Sequence, residues 1–299
     1  MYRKKGIINL IKPPGITSFG AIGKLKKLMN HPKAGHTGTL DPRACGVLPV
    51  CFGKATKVIP YLPEGIKEYI AEITLGTTTN TLDAEGEILT QNNKWNNLNE
   101  DEIINCVNSF EGEIKQVPPM FSAVKQDGER LYKKARKGKK IKRKKRKVSI
   151  YKINIISIEA KRVRFKVSCS RGTYIRSLAH DIGEKLGVGA YLSFLIRTRS
   201  GPFNLKKAFT YNMIEKQISE NKDDFLFSLD WPLNYPKFAL KEESYKKAIN
   251  GAILNFFDFK ADRNTLIKED KISVYSHNGE FISINEVKSN KIKALRVFY

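Results

Sequence analysis

Hydrophobic and polar positions along the chain predict strands and helices in alternation. Residues 6–12 read as a strand, ended by a turn at Pro13-Pro14-Gly15. Thr17 or Ser18 then caps a helix in which Phe19, Ile22, Leu25 and Leu28 recur at helical spacing, with Pro32 as its breaker. Leu48-Pro49-Val50 reads as a short buried strand, and Gly53 to Lys57 as a turn from strand to helix. Between Lys67 and Leu75 the period is two: Tyr69, Ala71, Ile73 and Leu75 share one face, and Ile70, Glu72 and Thr74 share the other. A threonine-rich polar loop (76–86) and an asparagine-rich surface segment (87–99) follow. Asn99 with Glu102 predicts a capping box on a helix through Ile103, Val107 and Phe110, stopped at Gly112. Pro118 to Val124 is extended, and residues 129–137 can form a short helix.

The second half repeats the theme. Val148 to Ala160 and Val163 to Ser170 read as strands, joined by the Arg171-Gly172 turn to a helix from Thr173 with Ile175, Leu178, Ile182 and Leu186 inward. An apolar segment at 190–200 and a helix after Thr210 follow. Asp230 to Pro236 reads as a linker. Beyond it lie a helix near 242–250, a hairpin turning at Asn278-Gly279, and a last strand from Lys291. The reading is an α+β chain with two domains, 1–232 and 237–299, the second β-rich and with too little core to carry an active site.

Charge changes the picture more than composition does. The 299 residues carry 54 Lys and Arg against 30 Asp and Glu, a net +24. Such an excess attracts polyanions, nucleic acid first and an anionic membrane surface second. Twelve of the 15 residues from Lys133 to Lys147 are Lys or Arg, with no acid. At that density the charges repel, so the segment is expected to be mobile without an anionic partner. A membrane role is the weaker one, because large apolar residues do not interleave with the basic ones. No apolar run is long enough to span a membrane, and the short run from Ile7 to Ile11 does not make a signal peptide. Four scattered cysteines read as reduced thiols of a cytosolic protein.

One stretch invites chemistry. Asp41 sits between a Gly/Thr-rich approach, Gly35-His36-Thr37-Gly38-Thr39-Leu40, and Pro42. Gly35 and Gly38 permit backbone angles closed to other residues, and Pro42 stiffens the loop. Taken alone, Asp41 is a turn residue or a catalytic carboxylate, and turns are the commoner use of Asp-Pro. Arg176 lies in the first turn of its helix, where a cation is disfavoured unless a carboxylate sits against it. The four histidines are not paired at metal-ligand spacing, and neither a Gly-x-Ser-x-Gly elbow nor a dinucleotide fingerprint occurs. What is left is chemistry on a nucleotide, which requires a base taken out of its stack and held against an aromatic side chain. Tyr69 is a candidate, or simply core.

Gly35 to Pro42, with Gly46-Val47-Leu48-Pro49-Val50 and Gly53 to Lys57, resembles the catalytic motif of the bacterial pseudouridine synthases that modify uridine 55 in the T-arm of tRNA. The resemblance includes Lys12 to Ser18, Lys67-Glu68-Tyr69, Asp83 to Gly86, Pro118 to Ala123 and Arg171 to Leu178, and so covers essentially the whole chain. It implies the pseudouridine synthase catalytic fold, a mixed and mostly antiparallel sheet flanked by helices, with a small C-terminal PUA-like RNA-binding domain. Asp41 would be the nucleophile on a flipped uridine, with no metal or cofactor. Arg176 would pair with Asp41 and keep it ionised, and Tyr69 would stack on the base. Lys12 would support the active-site wall and His36 the everted nucleotides, both grouped with the RNA-binding residues. The basic arm, about 124–150, resembles a mobile thumb that closes over the T-loop, with Lys142, Arg143, Lys144, Lys145, Arg146 and Lys147 as its RNA-binding residues. Asp83 joins them as a possible RNA-loop residue. The chain departs from the family at Asn80, where aspartate is usual. The implied enzyme is a cytoplasmic monomer acting on tRNA. A guide-RNA-dependent synthase and a non-catalytic tRNA-binding chaperone are the alternatives.

Overall fold

Eight strands form the spine of a ten-stranded sheet in the computed structural model, which describes residues 5–63, 65–122, 124–126, 128–136, 141–288 and 291–299. Across the sheet they run Leu226–Phe227, Gly6–Lys12, Cys45–Phe52, Ala190–Ser200, Lys67–Leu75, Arg162–Cys169, Arg146–Glu159 and Gly112–Gln116. Only Ala190–Ser200 beside Cys45–Phe52 is a parallel neighbour along this spine, so the sheet is mixed and mostly antiparallel, as predicted. The predicted inward face of Lys67–Leu75 is buried at Tyr69, Ala71, Ile73 and Leu75, and Thr74 of the other face is buried too. The inward four share one core with Ile22 and Leu25 of helix Ser18–Leu28, Val107 of Glu100–Asn108, Leu178 and Ile182 of Ile175–Lys185, and Ile214 of Tyr211–Ser219.

Some local expectations change. Phe19 is 83% exposed, because helix Ser18–Leu28 turns Ser18, Ala21, Ile22 and Leu25 inward instead. Ser18 is held there by its hydroxyl, which donates to the Leu40 carbonyl and accepts from the Leu40 N–H, both at 2.8 Å. The Asn99/Glu102 capping box forms as read. The asparagine-rich segment is partly ordered: Ile88–Gln91 pairs with Thr77–Thr79 in a small hairpin. The apolar segment at 190–200 is the Ala190–Ser200 strand, whose bulges reset the alternation so that Leu192, Leu195 and Arg197 all face inward.

Beyond residue 236 a four-stranded sheet runs Lys237–Ala239, Lys271–Tyr275, Phe281–Lys288 and Lys291–Val297. The stretch read as a linker is not loose. The Trp231 ring lies 4.6 Å from Phe227 and 5.2 Å from Phe203, centroid to centroid, and the Tyr275 hydroxyl donates to Asp230 at 2.6 Å. Ile284 of the small sheet and Phe298, just beyond its last strand, share an apolar cluster with Ile7, Val47 and Cys51 of the large one. The two sheets are therefore fastened through a buried seam on the side opposite the helices.

Candidate active site

The loop before Asp41 is fixed from outside, backbone group by backbone group. Thr37 N–H donates to the Pro49 carbonyl at 3.2 Å, and Ser18 holds both backbone groups of Leu40. The Pro42 carbonyl accepts from Gly15 N–H at 2.9 Å and from Lys12 Nζ at 3.0 Å. Gly35 and Gly38 do not use the left-handed angles open to them; Gly46, with φ +100°, does. Gly38 serves by being small, since a Cβ there would lie 3.1 Å from Lys67 Nζ.

Asp41 emerges from this loop with 38% of its side chain open. Arg176 Nε lies 2.9 Å from Asp41 Oδ2, and Arg176 Nη2 donates to Asp41 Oδ1 at 3.1 Å. The carboxylate expected against that first-turn arginine is thus in place, and a second, Asp83, lies 3.5 Å from Nη1. Arg176 also donates to the Thr81 carbonyl at 3.2 Å and the Phe121 carbonyl at 2.9 Å, so three loops converge on one guanidinium. Its helix is pinned in turn: Gln116 exchanges two hydrogen bonds with the Tyr174 backbone, and Ser177 donates to the Val117 carbonyl. The electrostatic balance differs from the simple expectation. Burial pushes the Asp41 pKa up and Asp83 adds to the rise, while Arg176 limits it, leaving the pKa above its ordinary value.

Two of the residues grouped with the RNA-binding ones are buried: Lys12, implied as a support of the active-site wall, and Asp83, implied as a possible RNA-loop residue. Lys12 is wholly buried, and its three N–H groups go to the carbonyls of Pro13, Ile16 and Pro42. It holds the loop and has no donor left for RNA. Asp83 is 8% exposed, accepts from Thr81 Oγ1 and Glu85 N–H, and faces Arg176. It belongs to the charge network under Asp41. His36 is half-buried and its Nδ1 accepts from Gly38 N–H at 3.2 Å, which puts its own proton on Nε2. Burial and then Arg197 push its pKa down, so it meets a ligand as a neutral donor.

The residue that sequence reasoning missed is Arg197. It is 0% exposed and lies directly across from Tyr69 in the strand pairing. Nε donates to the Val47 carbonyl at 2.8 Å, Nη1 to Thr39 at 3.2 Å and Nη2 to Gly38 at 3.1 Å. It also hydrogen-bonds Tyr69, whose hydroxyl burial raises to a pKa of about 12, so that the phenol is a neutral donor or acceptor and not a base. The available signal was parity: Arg197 follows Leu195 by two on the inward face of a strand.

The described part of the basic arm is tied to its neighbours at Arg143 and Lys147. Residues 137–140 lie outside the described residues, and Leu131–Arg136 is a helix. Arg146 and Lys147 begin the long Arg146–Glu159 strand. Arg143 donates to the Pro118 carbonyl at 2.9 Å, and Lys147 pairs with Glu113 at 2.9 Å. Lys142, Lys144, Lys145 and Arg146 are exposed.

The departure at Asn80 has a local reason. Its Oδ1 accepts from Glu87 N–H at 3.1 Å and its Nδ2 donates to Glu87 Oε2 at 3.3 Å. An aspartate would set two carboxylates together. Asn80→Asp is expected to lower the thermal midpoint by roughly 1–3 °C at low salt, with the loss shrinking as salt screens the repulsion. A loss equal at low and high salt in paired melting curves would contradict this.

The TruB family pseudouridylate synthase N-terminal domain matches residues 26–175, and the tRNA pseudouridylate synthase B C-terminal domain matches residues 176–234. The chain belongs to the TruB family of pseudouridine synthases. Among TruB-family relatives, tRNA pseudouridine synthase B of Alkaliphilus oremlandii (strain OhILAs) is 44% identical over 299 residues, 98% of each chain. The protein of the same name from Clostridium kluyveri is 43% identical, over 98% of this chain and 99% of that one. Among solved structures, a chain of a Cbf5-Nop10-Gar1 complex superposes with a TM-score of 0.73 at 31% identity, covering 100% of this chain and 86% of its own. A chain of an H/ACA RNP bound to a substrate RNA containing 2'-deoxyuridine gives 0.71 at 29% identity, covering 98% of this chain and 85% of its own. Among the described residues no helix is long and apolar enough to cross a membrane, and no cluster of His, Cys, Asp or Glu could hold a metal ion.

Proposed function

We propose that Asp41 is the nucleophile with which this enzyme isomerises uridine 55 in the T-loop of tRNA to pseudouridine, acting as a cytoplasmic monomer on an everted base. The observation that carries the reading is the carboxylate itself: part-open, on a loop tied down on both sides, and paired with a buried guanidinium. The reaction needs little else. The N1–C1′ bond breaks, a C5–C1′ bond forms, the C5 proton leaves and N1 gains a proton, so atoms balance without a redox partner. Attack on the base and attack on the sugar both need an ionised carboxylate aimed at one nucleotide. Tyr69 forms the floor under the base, and His36 offers Nε2–H to a neighbouring everted nucleotide.

The test is the protein alone with an unmodified tRNA transcript carrying tritium at uridine C5. Tritium release with pseudouridine at position 55 only is expected. No release sinks the enzymatic reading, and release only when a second RNA is added favours the guide-dependent alternative. The exposed arm should act through charge. Replacing Lys142, Lys144 and Lys145 by Gln is expected to weaken tRNA binding and lower the slope of log K against log salt by roughly two to three. An unchanged slope would mean that these side chains do not meet phosphate.

A further inference from the structure

A second cationic feature sits beside the Asp41 loop and is not used by the chemistry above. Lys67 opens the strand that carries Tyr69 and reaches under the loop, to 3.1 Å from where a Gly38 Cβ would be. Among the described residues no carboxylate or carbonyl accepts a bond from its Nζ. Its nearest charged neighbours include Arg197 and Arg171, both cations, and burial with that repulsion lowers its pKa to about 8. Lys67 and Arg171 line a cleft together with Thr37, Leu62 and Gly201. Thr37 Oγ1 is buried with no hydrogen-bond partner among the described residues. The far wall is two glycine backbones in contact: a Cβ on Gly65 would fall 2.3 Å from Gly201 Cα.

A half-buried ammonium crowded by guanidinium groups, beside an unused hydroxyl, is an unfavourable arrangement by itself. A full negative charge would satisfy both groups at once. A neutral base edge would satisfy the hydroxyl but leave the Lys67 ammonium without an acceptor. Thr37 is only four residues before Asp41, so an anion here would sit beside the loop that carries the proposed nucleophile. We propose that this cleft binds a phosphodiester of the substrate RNA next to the target uridine, with Lys67 Nζ as its cation and Thr37 Oγ1 as its hydroxyl donor. Gly38 is then small so that the ammonium can reach the phosphate past the loop. The proposal rests on the reading of the substrate as tRNA.

The experiment is a methylphosphonate scan of a T-arm stem-loop RNA, in which one phosphate at a time is made neutral. Equilibrium binding and single-turnover isomerisation are both measured for wild type, Lys67→Met, Lys67→Arg and Thr37→Val, with thermal unfolding as the check on folding. One neutralised position near the target is expected to cost the wild type roughly tenfold in affinity. Lys67→Met should show a loss of the same order with intact RNA and no further loss at that position, whereas Lys67→Arg should retain the sensitivity. Thr37→Val should show a smaller loss coupled to the same position. Additive losses at every position, or a Lys67→Met protein slowed in turnover with binding and scan unchanged, overturn the phosphate assignment while the isomerase reading stands. A wild type that does not bind the T-arm RNA overturns both.

Discussion

Asp41→Asn is expected to lower single-turnover pseudouridine formation by about four orders of magnitude or more while the Kd for tRNA stays within about twofold. The asymmetry follows from the geometry. Asn keeps the shape of Asp and an oxygen for Arg176 Nη2, so the three loops gathered on that guanidinium stay together. It lacks the negative charge and the nucleophilic oxygen. In the proposed reading RNA affinity comes from phosphate contacts made elsewhere, chiefly by exposed cations. Turnover near the wild-type rate would remove Asp41 from the catalytic role, and a large loss of affinity would mean that the loop had moved. The pH profile supplies an independent readout. The Asp41 pKa lies above the ordinary carboxylate value because burial outweighs the pull of Arg176. In the proposed mechanism the ionised form is the active one, so the rate should fall as pH drops through that raised pKa. Arg176→Met removes the opposing pull and should carry the acid limb to still higher pH, with Asp83 left to push the same way.

Where one short stretch decides a structure, the sequence was legible. The alternation in Lys67–Leu75 predicts a half-buried strand because one face must be apolar throughout, and it is. The Asn99/Glu102 box is local chemistry, complete within four residues. A first-turn arginine predicts a carboxylate partner because the helix end is itself positive. What failed depends on contacts far along the chain. Phe19 has the spacing of a core residue, but the helix is rotated by Ser18, whose partner Leu40 lies beyond the next turn. Asp83 reads as a possible RNA-loop residue in sequence, and only the fold shows the guanidinium that faces it inside. The Asp230–Pro236 stretch has the composition of a linker, yet its tryptophan finds Phe203 and Phe227. Proline and glycine content reports where regular structure stops, not whether the chain there is packed.

Arg197 is the extreme case of such a contact, and its removal should be the most damaging change outside the carboxylate. Its acceptors are the carbonyls of Gly38, Thr39 and Val47, about 150 residues earlier in the chain: the hydrogen bonds span 159, 158 and 150 residues. Among the described residues no carboxylate pairs with it, so carbonyl dipoles and the Tyr69 hydroxyl carry the whole burden of a buried cation. Arg197→Met fills much of the volume but leaves those carbonyls without donors. Breaking a buried charged network typically costs about 3–5 kcal/mol, which corresponds to a fall of roughly 5–8 °C in the thermal midpoint of a chain this size. Relief of the desolvated charge works the other way and makes the lower part of that range the expected one. The kinetic consequence is larger than the stability one. Gly38 and Thr39 lead straight into Asp41, and an ångström of drift in a nucleophile costs about a hundredfold in rate. The predicted signature is therefore a kcat reduced by about a hundredfold or more, at a temperature well below the lowered midpoint, with the Kd for T-arm RNA nearly unchanged. Arg197→Lys, which keeps the charge but can reach only part of the fork of acceptors, should fall between the two. Equal losses in kcat and in RNA affinity would make Arg197 a general support of the core, whereas a loss confined to kcat makes it the residue that aims Asp41.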